Sequence, residues 1–264
     1  MQGSLAEDFA ALRKLATTAS GALKEYFGAG EDPREWKYEN WQGKQLSRVT
    51  WREDGRVTEL ILCKCASLAV LPDVIGGLGA LTKLHLSWSS SLAKLPAAIG
   101  ELKALTTLNL RGCSSLDALP DAIGELEALT TLDLSYCRFL TALPAAIGGL
   151  GALTKLHLSW CSSLTTLPDA IGELGALTQL DLTGCASLAA LPDSIGKLGS
   201  LTSLNRRDCS SLTYRDVHKT VDFCCLNLLE GGDVSAADVK QSVLNHVICQ
   251  DALASRLDAL VRKV

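Results

Sequence analysis

Between residues 57 and 212 the chain repeats one arrangement of apolar and polar positions every 24 residues. Seven units begin at Val57, Leu81, Leu105, Leu129, Leu153, Leu177 and Leu201, with the shared pattern L-T-x-L-x-L-x-x-C-x-S-L-x-x-L-P-x-x-I-G-x-L-x-A. Within each unit L-x-L-x alternates with period two, as in Leu108-Asn109-Leu110-Arg111, which predicts a short strand with one buried face. Equivalent strands one unit apart must then lie parallel and side by side. The Leu-Pro step holds the chain extended, and proline opens a short helical turn with no unmet donor. The glycine after isoleucine suits a tight change of direction on the opposite side. Seven side chains per unit point inward, in the third Leu105, Leu108, Leu110, Leu116, Leu119, Ile123 and Leu126. No unit can bury them alone, so stability is cooperative along a solenoid.

Composition narrows this picture. The 264 residues include 50 leucines against 13 aromatic residues, so one aliphatic side chain fills the core. A net charge of -4 argues against a nucleic-acid surface. No uncharged apolar run approaches the ~18 residues of a membrane span. Glu7 and Asp8 precede any apolar segment of a secretory signal, which predicts a cytoplasmic protein without membrane attachment. The acidic excess falls on Val57 through Ser200, between two neutral ends.

The L-x-x-L-x-L-x-x-C signature resembles that of leucine-rich repeats. L-P-x-x-I-G-x-L-x-x-L after C-x-S-L is similar to the repeats of plant intracellular Ras-group-related leucine-rich-repeat proteins and of plant disease-resistance receptors. Trp41-Gln42-Gly43 and Arg56-Val57-Thr58-Glu59-Leu60 resemble the elements that lead into the repeats of plant receptor ectodomains, although no cysteine precedes Cys63 and those caps carry a cysteine pair. The resemblance implies an α/β fold: a curved right-handed leucine-rich-repeat solenoid with a parallel concave sheet, short helical turns on the convex side and helical caps. It also implies a protein partner on the concave sheet.

Ten cysteines require a decision about redox state. Six occupy one column, Cys65, Cys113, Cys137, Cys161, Cys185 and Cys209, with Ser89 in the second unit. Neighbouring strands place such positions ~4.8 Å apart, wider than the ~3.8 Å between disulfide-bonded Cβ atoms. A reduced structural ladder follows, in a chain without N-x-S/T acceptor sites. Zinc could be imagined at His218, Cys224, His246 and Cys249, but Val217, Val221, Cys224, Cys225, Leu228 and Leu229 read better as a helical stripe with thiols as small core residues. Neither a metal nor a cofactor is expected.

An open solenoid needs caps at both ends. Residues 1–56 supply one: an amphipathic helix with Leu5, Phe9, Leu12, Leu15, Leu23 and Phe27, then a hairpin of Leu46–Trp51 with Val57–Leu62 through Asp54-Gly55. Trp36, Trp41 and Trp51 are assigned to covering leucines. Repeats run over 57–212, with Arg206 and Arg215 where leucines belong in the last unit. Residues 213–264 form a helical C-terminal cap, with capping boxes at Thr213/Asp216 and Ser235/Asp238; a partner-binding helix is the competing use.

Because leucines fix the inward face, the variable strand positions face outward on the concave sheet. There Lys83, His85, Asn109, Arg111, Asp133, Lys155, His157 and Asp181 lie beside Trp88, Tyr136 and Trp160. Exposed rings among hydrogen-bonding residues are the makings of a binding hot spot, so Trp88, Tyr136 and Trp160 are expected to anchor a protein, with His85, Asp133 and His157 setting specificity. Units two and five share L-T-K-L-H-L-S-W, and duplication alone could pair their residues. His157 between Asp133 and Asp181 could suggest acid/base chemistry, but a flat solvated sheet offers no pocket and no nucleophile. No hydrolase elbow, Walker, zincin or dinucleotide motif is present. The sequence thus predicts a monomeric, non-catalytic interaction module in intracellular signalling or recognition. The alternative is the recognition segment of a larger immune receptor or ubiquitin-ligase-type effector.

Overall fold

A computed structural model of the protein describes residues 5–18, 32–39 and 45–212. The proposed C-terminal cap with its capping boxes, the zinc alternative, Trp41, Leu23 and Phe27 lie outside the described residues. A helix α1 (Leu5–Thr18) comes first, followed by β1 (Lys37–Glu39), β2 (Gln45–Ser47) and β3 (Val49–Trp51). One strand per coil then follows: β4 (Val57–Ile61), β5 (Lys83–His85), β6 (Thr107–Asn109), β7 (Thr131–Asp133), β8 (Lys155–His157), β9 (Gln179–Asp181) and β10 (Ser203–Asn205). These seven pair in parallel and in the register of the repeat, so that Leu84, Leu108, Leu132 and Leu156 stand in one column. β3 closes the sheet antiparallel to β4.

The period-two alternation puts every strand leucine inside. Leu108, Leu110, Leu116, Ile123 and Leu126 of the third coil are fully buried, and Leu119 nearly so. Opposite the sheet, each Leu-Pro opens a five-residue 3-10 turn, Asp121–Glu125 for example, in which Ile123 N–H donates to Pro120 O at 3.0 Å. Consecutive turns stack on one another, which gives the convex side.

The glycine after each isoleucine serves a different end from the change of direction inferred from sequence. None of Gly76, Gly100, Gly124, Gly148, Gly172 and Gly196 takes a positive φ. At most of them a Cβ would run into the next coil: at Gly100 it would lie 2.7 Å from Ala122 O, and at Gly124 it would overlap Ala146 O. Close approach of stacked coils is what excludes a side chain. Gly124→Ala is therefore expected to lower stability by about 1–3 kcal/mol through overpacking. Gly175→Ala, with nothing within 4 Å of the added carbon, is expected to leave the urea midpoint unchanged or slightly raised.

At the N-terminal end α1 packs on the 3-10 turn of the first coil, Asp73–Gly77, with Ala11, Leu12 and Leu15 buried. Trp36 is in the core, and Trp51 packs at its margin, 5.0 Å from the Phe9 ring. The stretch Leu46–Trp51, read from sequence as one strand, is two. Its first part pairs with β1 and its second with β4. The break falls at Arg48, whose N–H donates to Trp36 O while its O accepts from Ile61 N–H, so one residue joins both ladders. The tip runs through Arg52–Arg56, with Gly55 at φ 78°.

Candidate functional site

Each coil leaves its strand through a tight turn. In the second, Leu86 O accepts from Ser89 N–H at 3.3 Å, and the third residue of the turn, Trp88, has φ 63°. The same turn puts Lys64, Gly112, Tyr136, Trp160, Gly184 and Asp208 at φ between 59° and 74°. A positive φ at this position favours glycine. Two coils supply it and three hold a large ring there, at a cost of roughly 1–2 kcal/mol for each left-handed non-glycine residue. The sequence column showed the rings as exposed; the two glycines in it were the overlooked sign of the backbone conformation.

The next residue is the cysteine column. Sγ of Cys113, Cys137, Cys161, Cys185 and Cys209 donates to a leucine carbonyl of the preceding coil at 3.0–3.3 Å, and Ser89 Oγ does the same to Leu62 O at 3.0 Å. Cys65, on the first coil, has no earlier parallel coil, and its Sγ faces Cys63 O at 3.9 Å. Burial pushes the Cys65, Cys113 and Cys161 thiols up to about 12, and raises Cys137, Cys185 and Cys209 as well. All seven cysteines among the described residues are free thiols. A second ladder was not singled out in the sequence. Thr82, Thr106, Thr130, Thr154, Thr178 and Thr202 each donate Oγ1 to the carbonyl of the threonine one coil earlier, at 2.8–3.1 Å.

The middle row of the sheet divides by residue type. Oδ1 of Asn109, Asp133, Asp181 and Asn205 accepts from the backbone N–H two residues on, at 2.9–3.3 Å, and so braces the exit turn. Oδ2 of Asp133 and of Asp181 has no hydrogen bond among the described residues. His85 Nε2 lies 3.3 Å from Glu59 Oε1; burial lowers the imidazole from its ordinary value more than the carboxylate raises it. Asp133, His157 and Asp181 are strand neighbours, yet no hydrogen bond or ion pair joins them. Among the described residues no cluster of His, Cys, Asp and Glu could hold a metal.

The rings form one row. Trp88 lies 5.8 Å from Tyr136, and Tyr136 lies 6.2 Å from Trp160 with planes 18° apart. Trp88 and Tyr136 are two coils apart, and they meet because the indole leans across the intervening coil. A Cβ on Gly112 would stand 2.5 Å from Trp88 Cε3, and one on Gly184 would stand 2.8 Å from Trp160 Cδ2. Each indole thus rests on a glycine of the next coil. Arg111 lies over the Tyr136 ring at 4.8 Å. Trp88 and Trp160 remain 47% and 44% exposed. In the same central coil, Arg138-Phe139 replaces the Ala/Ser-Ser pair of the other coils, and Phe139 is 63% exposed.

A continuous sheet with one strand per coil, leucines in register and a 3-10 turn opposite each strand define a leucine-rich-repeat solenoid. Residues 108–206 match the family model of a leucine-rich repeat region. Among solved structures the chain is similar to a plant ice-binding protein (TM-score 0.56, 22% identity, covering 77% of this chain and 71% of that one). It is also similar to a leucine-rich repeat protein of Bacteroides eggerthii (TM-score 0.54, 14% identity, 78% of this chain and 50% of that one). A leucine-rich-repeat protein of Leptospira interrogans matches with a TM-score of 0.44 and 23% identity over 79% of this chain and 61% of that one. At identities this low the first two carry the fold alone. No curated protein matches the chain in sequence. No helix among the described residues is long and apolar enough to cross a membrane.

Proposed function

We propose that the protein is a non-catalytic interaction module that binds a protein partner on its concave sheet. Trp88, Tyr136 and Trp160 are its anchors, and Lys83, His85, Asn109, Arg111, Asp133, Lys155, His157 and Asp181 are the polar surround. The carrying observation is the row of partly exposed rings, held in a backbone conformation that glycine would adopt at lower cost. Large rings beside planar polar groups make the strongest contacts of protein interfaces, and such contacts cluster near the centre. Here the centre is the fourth of seven coils, which also carries Arg138 and Phe139. Residues 1–56 close one end of the stack, and 213–264 are assigned to closing the other. Buried free thiols that donate to carbonyls support a reducing compartment, hence a cytoplasmic role in recognition or signalling. Affinity capture should recover a partner with the wild-type chain and at least tenfold less with Trp88→Ala/Trp160→Ala, whose circular dichroism should be unchanged. Equal recovery of the same partner would overturn the reading.

A further inference from the structure

Resting on that reading, the geometry points to the chemistry of the partner: we propose that the ring row is a track for a proline-rich segment in the polyproline II conformation, flanked by a basic residue. Other modes of peptide recognition ask for features that are missing. An amphipathic helix needs an apolar groove, and the outward positions of coils two to six hold no aliphatic side chain beside the three rings. A strand-adding peptide needs a free edge, and at the ring-bearing coils there is none, since β5 through β8 are each paired on both sides. A phosphopeptide needs an arginine cluster; at the outward positions of coils two to six there is one arginine, Arg111, and it lies on Tyr136.

Polyproline recognition asks for flat aromatic faces and donors, and both are present. Each indole has one face seated on a glycine, which leaves the other for a pyrrolidine ring. Indole N–H and phenol O–H groups can donate to the outward carbonyls of a polyproline helix, whose own backbone bonds are unmet. Through Tyr136 the indoles stand at most ~12 Å apart, three to four residues of a helix rising about 3.1 Å per residue. Two prolines can therefore rest on Trp88 and Trp160, with the intervening residues over Tyr136 and Arg111. Such a segment is already extended when free, so a shallow track can hold it without a large ordering cost. Two rows in from the rings, Oδ2 of Asp133 and of Asp181 is left over from the turn bonds, whereas Lys83 and Lys155 stand one row further away and Arg111 lies on Tyr136; the nearer acidic pair favours a basic flank over an acidic one.

The test is a peptide array applied to the full chain. Its members are synthetic proline-rich peptides with arginine, glutamate or no charge at the flank, each paired with a version in which alanine replaces every proline. Tryptophan fluorescence and calorimetry report binding. Arginine-flanked members should bind at least tenfold more tightly than their alanine versions, and at least tenfold more weakly to Trp88→Ala/Trp160→Ala. Asp133→Asn and Asp181→Asn keep the turn bond, as Asn109 and Asn205 do in their own coils, and should weaken arginine-flanked members about threefold while sparing uncharged ones. The proposal falls if no member outbinds its alanine version, if the tryptophan variant binds undiminished, or if cellohexaose or chitohexaose binds the rings and the peptides do not. Should capture of a protein depend on the two tryptophans while the array is silent, the interaction reading stands and the polyproline inference falls. Should capture be indifferent to them, both fall.

Discussion

Asp8→Ala is expected to destabilise the N-terminal end by about 3–5 kcal/mol, the usual result of removing one partner from a buried ion pair. Asp8 is fully buried on α1, and its Oδ2 accepts from Arg56 Nε at 2.9 Å and from Val57 N–H at 2.8 Å. The Arg56 side chain is only 9% exposed, so the variant would take one carboxylate partner from a largely buried guanidinium and leave the Val57 N–H without its acceptor. These two bonds join the helix to the entry of the first coil, 48 and 49 residues away in sequence. In a stack where each coil touches only its neighbours, the loss should stay local. Hydrogen exchange should speed first in α1, β3 and β4, while β7 and β8 keep their protection. Replacing both partners with apolar residues, Asp8→Leu/Arg56→Met, should recover much of the loss, because neither charge of the pair then has to be desolvated. A urea-derived loss for Asp8→Ala within about 1 kcal/mol, the range of an exposed pair, would show that the charges are hydrated and that the helix is held by leucines alone.

The same residue marks the boundary of what the sequence made legible. Asp8 stood out only as one of two charges ahead of any apolar segment; its partner lies far along the chain, with no periodicity to connect them. The repeats were legible because a 24-residue period, leucine alternation and Leu-Pro together permit one arrangement, and parallel strands in register follow from it. What the pattern could not carry was the contact between neighbouring coils. The glycine after isoleucine looked like a turn residue, whereas the carbonyl of the next coil, unseen in one unit, excludes a side chain there. The ring column was legible as exposed, but its continuity depends on Trp88 leaning across Gly112. Read coil by coil, Trp88 and Tyr136 are strangers; read with Gly112 as a seat, they are neighbours. Asp133 was read as a specificity group and Asp181 as part of the polar concave face, and the turn bonds made by Oδ1 leave Oδ2 of both to face a partner.

The cysteine ladder leads to the other large effect, an alkaline loss of stability. In the unfolded chain a thiol ionises near pH 8.5, whereas in the coils burial holds Cys65, Cys113 and Cys161 protonated up to about 12. Between these values the folded state binds more protons than the unfolded one. Stability is therefore complete below pH ~8.5 and falls as pH rises toward ~12, by up to about 1.4 kcal/mol per pH unit for each such thiol. Several thiols acting together make the urea midpoint drop steeply between pH 9 and 11. Lysine and tyrosine titrate in the same range, so the decisive quantity is a difference between variants. Cys113→Ser/Cys161→Ser should keep the bonds to Leu86 O and Leu134 O, as Ser89 keeps its bond to Leu62 O, and serine does not ionise here. Its stability should decline less steeply than that of the wild type, by up to about 1.4 kcal/mol per pH unit for each thiol removed. Below pH 8 a disulfide-exchange reagent should leave the native ladder unreacted and titrate it fully in urea. Equal alkaline slopes for variant and wild type would mean that the column is not a row of protonated donors, and that the coils are held together by leucine packing and backbone bonds without it.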